Sequence, residues 1–330
     1  MKKFINSPRD LVHELLEGYA LAYPRHVRLE GDYLVARSQP KAQGKVGIVT
    51  LGGSGHEPGL SGFVGEGMLD VSVPGEIFAA PSAARVLDAI KRADRGAGVL
   101  LVVLNHAGDV LCANSTMEMA AKAGLRVEMV LTHEDISSGS KDPNDRRGLV
   151  GFLPVYKVAG AAAEEGRPLA EVREVAGRMS SGMRTLAVAL STATHPSTGQ
   201  PIFDLGADEM EVGMGQHGEA GTGRMKLQSA DATAELMLAP LLNDLEAKAG
   251  DDLLVIVNGA GATTLMELFL VFRRMHKLLE ARGIGCARSL VGEYITTQEQ
   301  AGFQMFVARL DEEMKRLWDA PCSTPYLSFS

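Results

Sequence analysis

Residues 98–104, GVLLVVL, offer water no polar face. A strand of that composition must be covered on both sides. KVGIVTL (45–51), LRVEMVLT (125–132) and DLLVIVNG (252–259) are further short apolar runs bounded by turn formers. Between the early ones, PSAARVLDAIKRAD (81–94) and CANSTMEMAAKAG (112–124) read as helices. Strands alternating with helices imply a parallel sheet covered on both faces, because a parallel return needs a crossover. The same alternation recurs in the second half. A strand is predicted at EMEVGMG (209–215), a helix from about Asp231 to Lys248, a helix over TLMELFLVFRRMHKLLEARG, and last strands at IGCARSLVG and FQMFVARL. The fold class is therefore α/β: two α/β domains, each with a mainly parallel sheet flanked by helices. At 330 residues the chain is long enough for two ordinary domains. We divide it into 1–182 and 183–330, near Ser180-Ser181-Gly182, with the C-terminal tail free to pack back on the first domain. Ser7-Pro8 with Asp10 predicts a helix start, and two helical stretches are predicted after the polar loop 135–150, continuing to about residue 194.

Composition excludes several classes of function. The net charge of −8 and the lack of any Lys/Arg-rich run argue against nucleic-acid binding. No apolar stretch reaches the roughly 18 residues that span a bilayer. The N-terminus lacks the continuous apolar segment of a signal peptide. Three cysteines, Cys112, Cys286 and Cys322, are odd in number and lack C-x-x-C spacing. They fit a reduced, cytoplasmic setting.

Ligands of parallel α/β sheets sit beyond the carboxyl ends of the strands. Three glycine-rich loops follow strands here: GGSGHEPG (52–59), NHAGD (105–109) and QHGEAG (216–221). The first can form a nest of backbone N–H groups that grips a small oxygenated ligand, or a tight turn in which His56 caps the next segment. It lacks the Gly-Lys-Ser/Thr ending of a P-loop. Asp109 can take a proton from a substrate hydroxyl or cap the helix that starts near Cys112. His217 stands among Gly213, Gly215, Gly218 and Gly221. The letters G-x-G-x-x-G at 213–218 match the dinucleotide fingerprint, but no apolar helix follows directly. His56, Glu57, His217 and Glu219 lack any recognised metal-ligand spacing, and no metal site is read from them.

Taken together, the motifs resemble the substrate-binding (K) subunit of dihydroxyacetone kinases. MKKFIN, GGSGHEP (52–58), PGEIFA (74–79), N-x-x-G-D (105–109), RRG (146–148), GAAAE-x-G (160–166), EME-x-G-x-G-x-HGE (209–219), NG-x-GAT (258–263) and WDAP (318–321) occur in the family's order across the chain. The resemblance implies a covalent anchor: His217 adds through a ring nitrogen to the ketone of a short ketose. It implies Asp109 as the base on the terminal hydroxyl and His56 as a hydrogen-bond partner. Gly53, Ser54, Leu104 and Ala80 fall at substrate-binding positions. The resemblance further implies no cofactor in this chain. ADP or ATP with Mg²⁺ is expected on a separate nucleotide-binding L subunit, and a homodimer is expected in the cytoplasm. The sequence departs from the family at several of these places. Leu104 stands where lysine is frequent, Ala79-Ala80 where serine is frequent, and Ala220 replaces a proline. These changes point to an altered pocket, one for a tetrulose, or to a ketose sensor without turnover.

Overall fold

The structure is a computed structural model and describes residues 2–215, 218–219, 221 and 223–330. The chain forms two compact units. The first runs to Thr132 and adds Phe152–Ser180 and Arg316–Ser330; the second comprises His133–Gly151 and Ser181–Lys315.

The first unit contains strands β1 (Val27–Glu30), β2 (Leu34–Arg37), β3 (Gly47–Ser54), β4 (Val71–Ile77), β5 (Val99–Leu104) and β6 (Val127–Thr132), with helices α1 (Leu11–Ala22), α2 (Ala83–Ala93), α3 (Ala107–Lys122), α4 (Phe152–Glu164) and α5 (Leu169–Ser181). The six strands run in the order β1-β2-β4-β3-β5-β6. β4, β3, β5 and β6 are mutually parallel, and β1 and β2 extend the edge antiparallel. Every residue of β5 is buried, as its composition requires. Alternation along β3 divides its partners. Val49 and Leu51 join Val86, Ala89 and Ile90 of α2 in one core, whereas Thr50 faces the other way and meets Tyr156 of α4. Helix α4 is apolar almost all round and is buried from Phe152 to Ala163, as a helix inside a covered fold must be. The tail closes on the same helix: the buried Lys157 donates to the Leu317 carbonyl at 2.9 Å. Burial pulls the Lys157 ammonium down to about 8.

The second unit contains β7 (Met183–Ala189), β8 (Glu209–Val212), β9 (Gly223–Lys226), β10 (Asp252–Gly259), β11 (Gly285–Gly292) and β12 (Gly302–Arg309), with α6 (Ala230–Leu245) and α7 (Leu265–Glu280). Its sheet order is β11-β10-β12-β7-β8-β9. Apolar faces of α6 and α7 pack with strand residues Leu186, Val188, Val255, Val257, Met305 and Val307 in a second core. Thr264 and Glu267 form a reciprocal capping box that fixes the start of α7. Helix α8 (Glu312–Asp319) and a short pair, β13 (Cys322–Ser323) and β14 (Ser328–Phe329), complete the chain.

The α/β class holds, with each sheet flanked by helices, but the second sheet is mixed rather than mainly parallel. Among the described residues only β10 and β11 run parallel there. β12 inserts between β10 and β7, antiparallel to both. An apolar run reports burial but carries no direction, so the sequence could not separate these cases. Residues 183–189 form β7 rather than helix: MRTLAVA suits either state, and pairing with β12 decides it. The first helix begins at Leu11, without a side-chain cap from Asp10. Ser7 instead accepts from the Arg9 amide at 3.2 Å, within the preceding turn.

One buried acid in the second unit reports on pH. Glu134 is fully buried, and its Oε1 accepts from the amides of Leu149 at 2.6 Å and Gly151 at 2.8 Å. Burial, partly offset by these donors, pushes its carboxyl up to about 7. The folded pKa therefore exceeds the unfolded one. The group's stabilising contribution is complete below the unfolded value and is lost as pH rises through 7. Glu134→Gln cannot ionise. Between pH 5 and 8 its unfolding free energy should gain about 3 kcal/mol on that of the wild type. Urea unfolding at both pH values measures this, and a difference that does not change with pH contradicts it.

Candidate active site

β3 is where the strand order of the first sheet reverses. The chain moves from β3 to β4 on one flank, then crosses to β5 on the other. The carboxyl ends of parallel strands part at such a point and leave a crevice for a ligand. Gly52, Gly53 and Ser54 end β3, Leu104 ends β5, and the turn after β4 runs through Phe78 to Ala80.

The loops are drawn together by close backbone approach. A Cβ on Gly53 would lie 2.7 Å from the Ala79 nitrogen and 3.0 Å from the Phe78 Cα, so only glycine fits. Ser54 donates to the Gly75 carbonyl at 2.7 Å, and its own carbonyl accepts from the Phe78 amide at 2.9 Å. Ser54 is thus buried and its hydroxyl holds the scaffold. Gly55 has φ +101° and packs close to the Phe78 ring, where an added Cβ would lie 2.7 Å from a ring carbon. Phe78 itself has φ +57°, and Leu60 has φ +66°. Uncommon backbone angles at bulky residues persist only where packing overdetermines them, and they concentrate at functional sites. The Glu57–Pro58 peptide in the same loop is cis.

His56 is buried, and its ring packs on Phe78 with centroids 5.0 Å apart. It caps no helix. Its carbonyl accepts from the Gly59 amide within the turn. Asp109 is the third residue of α3, not its cap: His106 is the N-cap residue. A carboxylate in the first turn sits at the positive end of the helix dipole. Asp109 is half-buried, and its charge adds to burial in pushing up both the Tyr156 phenol and the Cys112 thiol. Ala80 lies beside Gly108, where a Cβ would be 3.8 Å from its methyl. Leu104 is buried at the end of β5. In this unit the structure therefore gathers Gly53, Ser54 and His56 around Phe78, and sets Ala80 against the start of α3, which carries Asp109.

Two supporting residues escaped sequence reasoning. Phe78 orients the His56 ring; its signal was the PGEIFA motif, read without a role. Tyr156 lies beneath the site. The Thr50 hydroxyl donates to the Val102 carbonyl at 2.9 Å, so its single proton is committed. Tyr156, 2.7 Å away, must then be the donor to Thr50. These two hydrogen bonds tie α4 to β3 and β5 just below their carboxyl ends.

His217 lies outside the described residues, and so do Gln216, Ala220 and Thr222. Their described neighbours belong to the second unit. The segment joins β8 to β9, which pair antiparallel. The strand-to-helix context of the dinucleotide fingerprint is therefore absent at 213–218. Gly213 has φ +80° and Gly218 φ +83°. The Gly215 amide donates to the Glu219 carbonyl at 2.9 Å. Among the described residues no group of three His, Cys, Asp or Glu side chains could hold a metal ion, and no helix is long and apolar enough to cross a membrane.

The Dak1 domain family matches residues 17–326. The chain belongs to the Dak1 family. Its resemblance to dihydroxyacetone kinase K subunits, read from the ordered motifs, thus holds across the chain. The dihydroxyacetone-binding subunit DhaK of PTS-dependent dihydroxyacetone kinase 1 from Listeria innocua serovar 6a is 39% identical over 95% of each chain. The L-erythrulose kinase of Pectobacterium atrosepticum is 38% identical over 98% of this chain, which spans 56% of that protein. Among solved structures, the dihydroxyacetone kinase operon co-activator Dha-DhaQ matches with a TM-score of 0.90 at 30% identity, over 96% of this chain and 99% of that one.

Two glycines should respond oppositely to the same substitution. Gly53→Ala drives a Cβ into backbone, and should cost about 1–3 kcal/mol of stability while displacing the Phe78 turn. Gly18, inside α1, has nothing within 4 Å of an added Cβ. Gly18→Ala should stabilise by about 0.5–1 kcal/mol. Denaturant titration of both variants checks the pair, and equal signs would refute the close-approach account.

Proposed function

We propose that this chain is the ketose-binding subunit of a dihydroxyacetone-type kinase, a phosphotransferase component that acts with a separate nucleotide-carrying L subunit. The observation that carries this reading is the convergence of the His56 loop, the Phe78–Ala80 turn and the Asp109 helix start at the switch point of a Dak1 fold.

In this reading a ring nitrogen of neutral His217 adds to the ketone carbon. The C=O π pair moves to oxygen, which gains a proton while the imidazole loses its N–H proton. The product is a hemiaminal, and nothing leaves. Glycerol lacks a carbonyl and cannot be held this way. His56 hydrogen-bonds the anchored ketose and the Gly53 amide donates to it. Asp109 accepts the terminal hydroxyl proton as that oxygen bonds to phosphorus. ATP, or ADP recharged by a phosphotransferase system, supplies the phosphoryl group from the L subunit with Mg²⁺. The subunit works as a homodimer in the cytoplasm, where Cys112, Cys286 and Cys322 stay unpaired.

Substrate choice follows from the apolar side chains Leu104 and Ala80. They give a ketose fewer polar contacts than lysine and serine would, and suit a longer ketose such as a tetrulose. The likeness to L-erythrulose kinase supports this. A second reading, a ketose sensor that regulates a partner without turnover, is favoured by the same two residues and by the likeness to an operon co-activator.

Native intact mass tests the anchor. The wild type mixed with dihydroxyacetone or erythrulose should gain the full mass of the ketose with no water lost, and His217→Ala should not. Turnover with an L subunit separates enzyme from sensor. Asp109→Asn should keep the adduct but lower kcat about 10²–10⁴-fold. Wild type that fails to turn over any short ketose would establish the sensor reading, and strong preference for the triose would remove the tetrulose pocket.

A further inference from the structure

The RRG motif at 146–148 has no part in the chemistry above, yet its second arginine reaches the histidine loop. Arg147 is anchored at both levels. Its carbonyl accepts from the Asp135 amide at 3.0 Å. Its Nε donates to Asp135 Oδ2 at 2.8 Å, and its Nη2 to Ser137 Oγ at 2.7 Å. Asp135 is buried, and its other oxygen accepts from the Ser137 amide at 2.9 Å. The surrounding segment is equally constrained: Glu134 holds the amides of Leu149 and Gly151, and Gln304 accepts from Val150 at 3.0 Å.

From this base the guanidinium touches the 213–219 loop at three points. Nη2 donates to the Gly213 carbonyl at 2.7 Å. Nη1 faces Glu219 Oε2 at 3.9 Å. Gly215 lies against both: a Cβ there would be 2.2 Å from Nη1 and 2.1 Å from Glu219 Oε2. His217 stands in the chain between Gly215 and Glu219.

We propose that Arg147, locked by Asp135 and Ser137, is the positioning residue for the loop that carries His217. It holds Gly213, Gly215 and Glu219, which flank the histidine in the sequence, and their placement governs how closely a ring nitrogen can be presented to the ketone. This rests on the reading of His217 as the anchor. The planar fork suits this role, because one guanidinium serves Asp135, Ser137 and Gly213 together, which a lysine ammonium on a flexible stem does not. Ketone addition is reversible, and its equilibrium depends on how closely the nitrogen is held to the carbonyl carbon.

The test combines hydrogen exchange of peptides covering 209–228 with native intact mass of the full chain and its ketose adduct. In Arg147→Ala the amides of Gly213, Gly215, Gly218 and Gly221 should exchange at least tenfold faster, with β10 and β12 peptides unchanged. Adduct retention should fall at least tenfold. Arg147→Lys should recover part of both. Removing the guanidinium strands the buried Asp135 carboxylate and can unfold the unit. Gly215→Ala is therefore the second variant: it leaves the Asp135–Arg147 pair in place, forces Nη1 off the loop, and should give the same pattern. Unchanged exchange in either folded variant overturns the clamp. Faster exchange with full adduct retention overturns its role in positioning. Undiminished ketose retention by His217→Ala overturns the anchor instead, and the exchange measurement then decides the clamp alone.

Discussion

The site in the first unit depends on the reversal of strand order at β3. β4 and β5 lie on opposite flanks of β3, so three carboxyl ends open beside one another. Loops from distant parts of the sequence then converge without any long excursion. Helices α2 and α3 pack together on one face of the sheet and α4 covers the other, which leaves the sheet's end to the polar loops.

Small residues and backbone contacts convert that opening into a defined cleft. Gly53 lets β3 pass against the Phe78–Ala79 backbone, and the Phe78 ring then covers Gly55 and His56. Below, the Tyr156–Thr50–Val102 chain ties the helix layer to both central strands. Burial favours the neutral phenol, and the charge of Asp109 favours it further. Tyr156 therefore stays a donor, and the scaffold does not titrate in the physiological range. Only a few hydrogen bonds separate the packed core from the groups assigned to the chemistry.

Much of this was legible beforehand because burial leaves a composition. β3, β5, β6 and β10 were readable as short apolar runs, and α2, α3, α6 and α7 as periodic ones. The loops that follow β3 and β5 were readable by their glycines. The short edge strands β1 and β2, with four residues each, were not. β7 was hidden because MRTLAVA fits a helix as well as a strand. Asp109 looked like a cap because aspartate favours that role, and the true start of α3 is set by how the chain leaves β5. The roles of Phe78, Tyr156 and Arg147 were illegible, since each acts on residues far away in sequence.

By itself, the sequence determined the α/β class, the buried strands, the glycine loops and the membership in the Dak1 family. Each of these is written in local composition or in the order of motifs. Only the tertiary structure decided that β12 runs antiparallel between β10 and β7, that the Phe78 turn closes on Gly53, and that Arg147 grips Gly213. The physical reason is the same in each case. Hydrophobic periodicity records that a residue is buried, but not which neighbour buries it or in which direction that neighbour runs. Backbone carbonyls such as that of Gly213 accept hydrogen bonds whatever side chain they carry, so no letter in the sequence marks the partner.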